Sequence, residues 1–283
     1  MFFINATIDK RFIFVADFVR NCQKSFFSVN PAFQQKGLPC APDNSVTVMN
    51  LRFTIRPNEK LALRDPESSE LGRKIVRQGL VLMHKIGYEH FTFRKLAAEI
   101  DTKEASIYRY FENKHRFLLY LLTWHWNIME YTVIVSLRNI DDSVEKIRAL
   151  IRIVANDAPD LDDETGLDRN ALHGIAMAES SKVYLIKEVD EVNREQLFKP
   201  YKDLCGRIAG LFGEYAPTYP YPRSLASTVL EMAQLQPYFA HHLPALTDVG
   251  KDDDPDKLIS FLENFVFSVL DKYAPKKNLI TGE

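Results

Sequence analysis

From Glu67 onward, apolar residues recur at helical spacing and polar residues fill the gaps. Leu71, Ile75, Leu82 and Ile86 fall on one stripe, with Val76, Leu80 and Met83 beside it, which predicts an amphipathic first helix. Gly87 follows the last apolar residue and supplies a C-terminal stop. Thr92 stands where an N-cap belongs, ahead of a short second helix running to Ile100 that buries Leu96, Ala97 and Ile100. Asp101-Thr102 is a tight break. A third helix over Lys103–Tyr110 is expected to bury Ala105, Ile107 and part of Tyr108, and Asn113 caps a long fourth helix from Lys114 to about Leu137.

The remainder alternates helical stretches with Pro- and Gly-marked turns. Helices are predicted near Val144–Ala155, Asp168–Met177, Ser180–Tyr215, Arg223–His241 and Pro255–Tyr273. The breaks are Ala158-Pro159-Asp160, Gly166, Ala216 to Pro222, and Leu243 to Asp254, and Pro200 is expected to kink or split the helix that contains it. No stretch alternates with period two, so no strand is assigned and the fold class is all-α. Residues 1–48 lack any sustained period and carry eight Phe and several Pro turns. Two readings stand for them: a flexible arm, or upstream sequence ahead of a natural start at Met49. With the polar stretch from Leu51 they make residues 1–66 a poorly ordered extension and linker. Residues 67–115 then form one helical domain and 116–283 a second.

Composition adds little and charge distribution more. The 283 residues are 46% hydrophobic and 26% charged, with a net charge of −2, which is ordinary globular composition. Leu71–Leu118 carries about +5 and Leu119–Glu283 about −9, the pattern of a basic nucleic-acid-reading end joined to an acidic remainder. Cys22, Cys40 and Cys205 are too few and too scattered for a zinc site or a disulfide framework, and a cytoplasmic location is the expectation. No apolar run approaches the roughly 18–20 residues of a membrane span.

Two short helices joined by a tight turn, with basic residues between, are the minimum for a helix-turn-helix, whose second helix lies in the major groove. Small Ala97 lets the two helices approach closely. The run from Thr92 to Lys114 resembles the DNA-binding signature of the TetR/AcrR family. The matching positions are Thr92, Leu96-Ala97, Ser106-Ile107-Tyr108, Phe111 and Asn113-Lys114, and Gly87 falls where that family ends its first helix. About 50 residues carry the resemblance. Family members commonly have Gly where this chain has Asp101, a residue that tolerates left-handed backbone. The next position is usually apolar and is Thr102 here, whose methyl can pack or whose hydroxyl can cap the third helix.

Tyr108 and the hydroxyls of Thr92 and Ser106 suit phosphate or base-edge contacts. Lys114, in the first turn of its helix, becomes favourable if a phosphate binds there, and the resemblance implies that contact. Arg94, Lys95, Lys103 and Arg109 complete the candidate DNA face, with Glu104 as an acceptor for a cytosine amine. For the carboxy-terminal part, the resemblance implies a sensor domain and a homodimer in which the last two long helices pair with their copies. Leu258, Ile259, Leu262, Phe265, Val266, Val269, Leu270 and Tyr273 offer one wide apolar face, and Leu225, Val229, Met232, Leu235 and Phe239 another; burial within one chain is the competing reading. Trp124, Trp126, Tyr131, His173, Met177, Tyr201 and Phe212 are candidate ligand contacts, each of which a plain core would equally use. His241-His242 and Asp252-Asp253-Asp254 read as structural, and no metal or cofactor is expected.

The function these readings imply is a sequence-specific, ligand-responsive DNA-binding regulator, most simply a repressor acting as a homodimer on a near-palindromic operator, with a small molecule as effector. No Gly-rich phosphate loop, Gly-x-Ser-x-Gly, His-Glu-x-x-His or paired Glu-x-x-His occurs, so no enzyme is assigned. The alternative is a helical carrier or interaction protein that keeps the helix-turn-helix as scaffold.

Overall fold

The computed structural model describes residues 59–155, 166–187, 189–250 and 255–275, and every regular element among them is helical. In chain order these are α1 (Glu70–His90), α2 (Phe93–Glu99), α3 (Glu104–Ile107), α4 (Lys114–Leu137), α5 (Ser143–Val154), α6 (Arg169–Glu179), α7 (Ser181–Tyr184), α8 (Val189–Arg194), α9 (Lys199–Tyr215), α10 (Pro222–His242) and α11 (Pro255–Leu270). Short 3-10 turns occupy Glu59–Leu61, Pro66–Ser68 and Pro244–Leu246. None of the described helices is long and apolar enough to cross a membrane. The expected breaks at Ala158-Pro159-Asp160 and Asp252-Asp253-Asp254 lie outside the described residues.

α4 is the axle of the molecule. It is buried from Phe117 to Trp126 with no polar face in that stretch, because α5, α6 and α9 pack around it. At its amino end Asn113 accepts from the Arg116 amide at 2.9 Å, the cap expected from sequence. α10 crosses α9, and α11 lies against α10 and α5.

Five local expectations are revised. The described part of the supposed linker is packed: Leu61 is 1% exposed, and the Leu63 amide donates to the Tyr110 carbonyl at 2.8 Å. The buried face of α1 centres on Ile75, Val76, Gly79, Leu80 and Met83, leaving Leu71, Leu82 and Ile86 at its half-buried margins. The third helix is a single turn, so residues after Ile107 leave the helical register. Ala105 is exposed, Tyr108 is 47% exposed, and Tyr110 turns inward to meet Ser69 Oγ at 2.8 Å. The helix foreseen over Ser180–Tyr215 is three helices, α7, α8 and α9. Gln196 adopts φ 61° at the second corner, and Pro200 opens α9 in its first turn, where its missing N–H costs nothing. The last helix ends at Leu270, one turn before Tyr273.

Candidate nucleic-acid interface

The reading head is assembled from caps and one aromatic cluster. Ser69 caps α1 by accepting from the Gly72 amide at 3.0 Å, and Thr92 caps α2 by accepting from the Lys95 amide at 3.2 Å. Gly87 at φ 75° ends the regular part of α1, and the Phe91 amide closes the turn onto the Gly87 carbonyl at 3.1 Å. Asp101 takes the left-handed conformation, φ 51°, that the tight turn demands, and the Thr102 amide returns to the Ala97 carbonyl at 2.9 Å. The Thr102 hydroxyl does not cap α3: Lys103 is the N-cap residue, and it makes no side-chain capping bond.

Beneath this surface Phe91 stacks on Phe117 at 5.5 Å, Phe111 meets Phe117 edge-on at 4.9 Å, and Phe93 meets Tyr108 edge-on at 5.1 Å. Gly79 is what lets α1 come this close. A Cβ there would lie 2.5 Å from Phe117 Cζ and 3.2 Å from a Leu96 methyl. Tyr108 is therefore held at its ring face by Phe93 while its hydroxyl end reaches solvent.

Around Tyr108 the structure gathers the polar residues expected from sequence, and it divides them into two groups. Thr92, Arg94, Lys103 and Arg109 are exposed, and Glu104 and Ser106 are half-buried on α3. Among the described residues, Arg94, Lys103 and Arg109 have no hydrogen-bond or ion-pair partner. Lys95 and Lys114 are instead tied down. Lys95 Nζ donates to the His90 carbonyl at 2.8 Å, and Lys114 Nζ donates to the Tyr88 carbonyl at 3.1 Å while lying 4.3 Å from the centre of the Tyr88 ring. Both ammonium groups satisfy carbonyls at the end of α1.

A second layer, with no mark in the sequence pattern, joins this head to the helices behind it. The Tyr88 amide donates to Glu179 Oε1 at 3.0 Å, and Lys182 bridges Glu179 at 2.8 Å and Glu89 at 2.9 Å. Burial works against the Lys182 ammonium, but its hydrogen bonds to Glu179 and Glu89 outweigh that and raise its pKa. Arg116 on α4 pairs with Glu195 at 2.6 Å. These contacts border an open cleft of about 760 Å³ that is floored by Tyr88, Leu185, Ile186 and Val192.

The structure scatters the candidate ligand contacts. Trp124, Trp126 and Phe212 are buried, and Tyr131, His173, Met177 and Tyr201 are half-buried. Trp126 packs on Tyr201 at 4.7 Å, and His173 faces His125, which sequence reading passed over, at 5.9 Å. Burial pushes His125 down to about 3, helped by the neighbouring His173, and burial pushes His173 down to about 4, so both imidazoles are neutral. Among the described residues, neither His173 Nδ1 nor His125 Nε2 has a hydrogen-bond partner. None of the seven candidates lines either the cleft above or a second one of about 670 Å³ between α10 and α11.

Residues 75–121, from the first buried turn of α1 into α4, match the profile of bacterial regulatory proteins of the tetR family. This segment is a DNA-binding domain of the tetR-family type. No curated protein matches it. Among solved structures, a putative transcriptional regulator from Saccharomonospora viridis in complex with choline aligns with a TM-score of 0.51 and 17% identity, over 70% of this chain and 96% of that one. AibR in complex with isovaleryl coenzyme A and operator DNA aligns at 0.48 and 17%, over 69% and 98%. The fatty acid degradation regulator FadR from Bacillus halodurans aligns at 0.48 and 16%, over 68% and 92%. At these identities the likeness is one of fold. The profile match ends inside α4, so the same helix that carries Lys114 into the reading head carries Trp126 into the helices behind it.

Proposed function

We propose that this TetR-family transcriptional regulator is a ligand-responsive repressor that binds a near-palindromic operator as a homodimer, with residues 67–115 reading DNA and 116–283 sensing and pairing. One observation carries the DNA-binding reading. Among the described residues, Arg94, Lys103 and Arg109 are exposed cations of the α2–α3 segment without internal partners, and exposed Tyr108, which packs on Phe93, shares that segment. Cations held exposed around a short helix are what phosphate contacts require. Thr92 and Ser106 add neutral donors. Lys114 and Lys95, already bonded to α1 carbonyls, act mainly by fixing the head, and Lys114 can share its remaining proton with a phosphate.

Dimerisation has its own support. Leu258, Ile259, Leu262, Val266 and Leu270 are buried within the chain, as are Leu225 and Val229, so burial within one chain accounts for five of the eight residues of one apolar face and two of the five of the other. Phe261 remains 38% exposed, with Phe265, Met232, Leu235 and Phe239 half-buried beside it, which is the surface a second copy would cover. A twofold pair sets two reading helices one DNA turn apart, about 34–36 Å. The effector acts through the Lys182, Glu179 and Tyr88 contacts, which transmit a shift of α6 or α7 to the reading head. By linkage, DNA then weakens effector binding by the factor that effector weakens DNA binding.

The test is selection of genomic fragments by the purified full chain at low salt, with binding to the enriched site repeated for Tyr108→Ala and Lys114→Ala. A short palindrome bound by two chains and weakened in both variants is expected. No enrichment would move the protein to the carrier or interaction class.

A further inference from the structure

Behind the reading head, three helices that are distant in sequence converge on one carboxylate. Glu231 of α10 accepts from the Tyr184 hydroxyl at 3.0 and 3.1 Å and from the Tyr201 hydroxyl at 3.0 Å. Tyr184 ends α7 and Tyr201 lies in the first turns of α9. Their rings are parallel within 2° at 6.4 Å, and Trp126 of α4 packs on Tyr201 at 4.7 Å. Among the described residues, the hydrogen bonds that Glu231 accepts come from these two hydroxyls, and it forms no ion pair. Burial, and then Glu231 itself, raises the pKa of Tyr184. For Tyr201, burial leads, followed by Cys205 and Glu231. Both phenols therefore remain protonated donors.

A half-buried carboxylate without an ion pair among the described residues, held by two tyrosines of which one is backed by Trp126, has a definite complement. Aromatic faces are negative and attract a cation, and the carboxylate adds a full charge at the same place. An anion would be repelled by both, and a neutral apolar molecule would gain nothing from Glu231. Glu231, Tyr184 and Tyr201 are each half-exposed, so the group is reachable from solvent. We propose that Trp126, Tyr184, Tyr201 and Glu231 form a recognition site for the ammonium group of an organic cation. This rests on the reading of the protein as an effector-controlled regulator and names the chemical class of its effector.

The site is also placed to be heard at the DNA face. Tyr184 is two residues beyond Lys182 on the one-turn helix α7, and Lys182 holds Glu89 and Glu179. A cation drawn to Glu231 competes with the Tyr184 hydroxyl for its oxygens. Release of that hydroxyl frees the end of α7 that anchors Lys182.

Calorimetric titration of the full chain with 3-hydroxyphenyltrimethylammonium, and with its uncharged isostere 3-tert-butylphenol, tests the assignment. The expected result is saturable binding of the cation, weakened about tenfold or more in Glu231→Gln and for the isostere. It should be retained in Tyr201→Phe, which keeps the ring, and unchanged in Glu191→Gln, an exposed acid elsewhere. Circular dichroism confirms that each variant is folded. No saturation at about 10 mM, equal binding of the isostere, or indifference to Glu231→Gln would overturn it. Titrating the selected DNA fragment in parallel separates the two claims. DNA binding without cation binding removes this site alone, whereas cation binding by a chain that selects no DNA removes the regulator reading and leaves the site standing.

Discussion

If Arg94, Lys103 and Arg109 are the cations that meet DNA, the salt dependence of binding must report them. They are exposed and have no ion-pair or hydrogen-bond partner among the described residues, so each brings a full charge to a phosphate at no cost in the described internal bonds. A homodimer presents about six such cations, and each neutralised phosphate contributes about −0.9 to the slope of log affinity against log salt, giving a slope of about −5. Replacing Lys103 and Arg109 by Ala removes about four contacts per dimer and should flatten the slope to about −2. Between 50 and 200 mM salt, the wild-type chain should then lose about a thousandfold in affinity and the double variant about tenfold. Fluorescence anisotropy with a labelled operator fragment across that salt range reads both slopes. Lys202→Ala, on exposed α9, is the control and should match wild type. Equal slopes for wild type and the double variant would refute the assignment of these residues to phosphates, even if the double variant bound more weakly at a single salt concentration.

Further predictions concern stability and coupling. Gly79→Val drives a side chain into Phe117 and should destabilise by about 1–3 kcal/mol, whereas Gly210→Ala on α9, where a Cβ meets nothing within 4 Å, should stabilise by about 0.5–1 kcal/mol; urea unfolding measures both, and a stable Gly79→Val would show that α1 and α4 are not closely packed. His125 and His173 have folded-state values near 3 and 4, below their ordinary value. The unfolded chain therefore binds protons that the native chain refuses, and stability falls as pH drops below about 6.5. Between pH 6.5 and 5 the loss is about 2 kcal/mol for each histidine; His125→Phe should remove its share, and an unchanged acid limb in that variant would contradict the burial of a neutral imidazole. Lys182→Ala should leave operator affinity near wild type and reduce the effect of any effector on it, read by repeating the anisotropy titration with effector present.

Legibility from sequence followed locality. The reading head is built of contacts between residues close in the chain: Thr92 and Asn113 as caps, Gly87 and Asp101 at positive φ, and Leu96, Ala97 and Ile107 as a periodic core. Each leaves a composition mark at a fixed offset. The break between α8 and α9 leaves none, because Gln196 rather than Gly or Asn takes the left-handed position. Val183 and Leu197 both bury, at a spacing that a single helix would also give. Pro200 marks the break, but the pattern around it suits a kink within a helix as well as the first turn of one. A third helix continued to Tyr110 would bury part of Tyr108; the one-turn α3 turns it outward and buries Tyr110 instead. The Glu231 cluster and the Lys182 bridge pair residues from 30 to more than 90 positions apart, and no pattern along the chain announces which of many polar side chains will meet.

The central claim is that the α2–α3 face touches DNA, and position 108 tests it most directly. Tyr108 replaced by photoreactive benzoylphenylalanine, illuminated with the selected fragment, should cross-link to bases within each half-site. The same group at Tyr215, on α9 far along the chain, should not. Cross-linking from 215 with none from 108 would contradict the account and place the DNA on another surface.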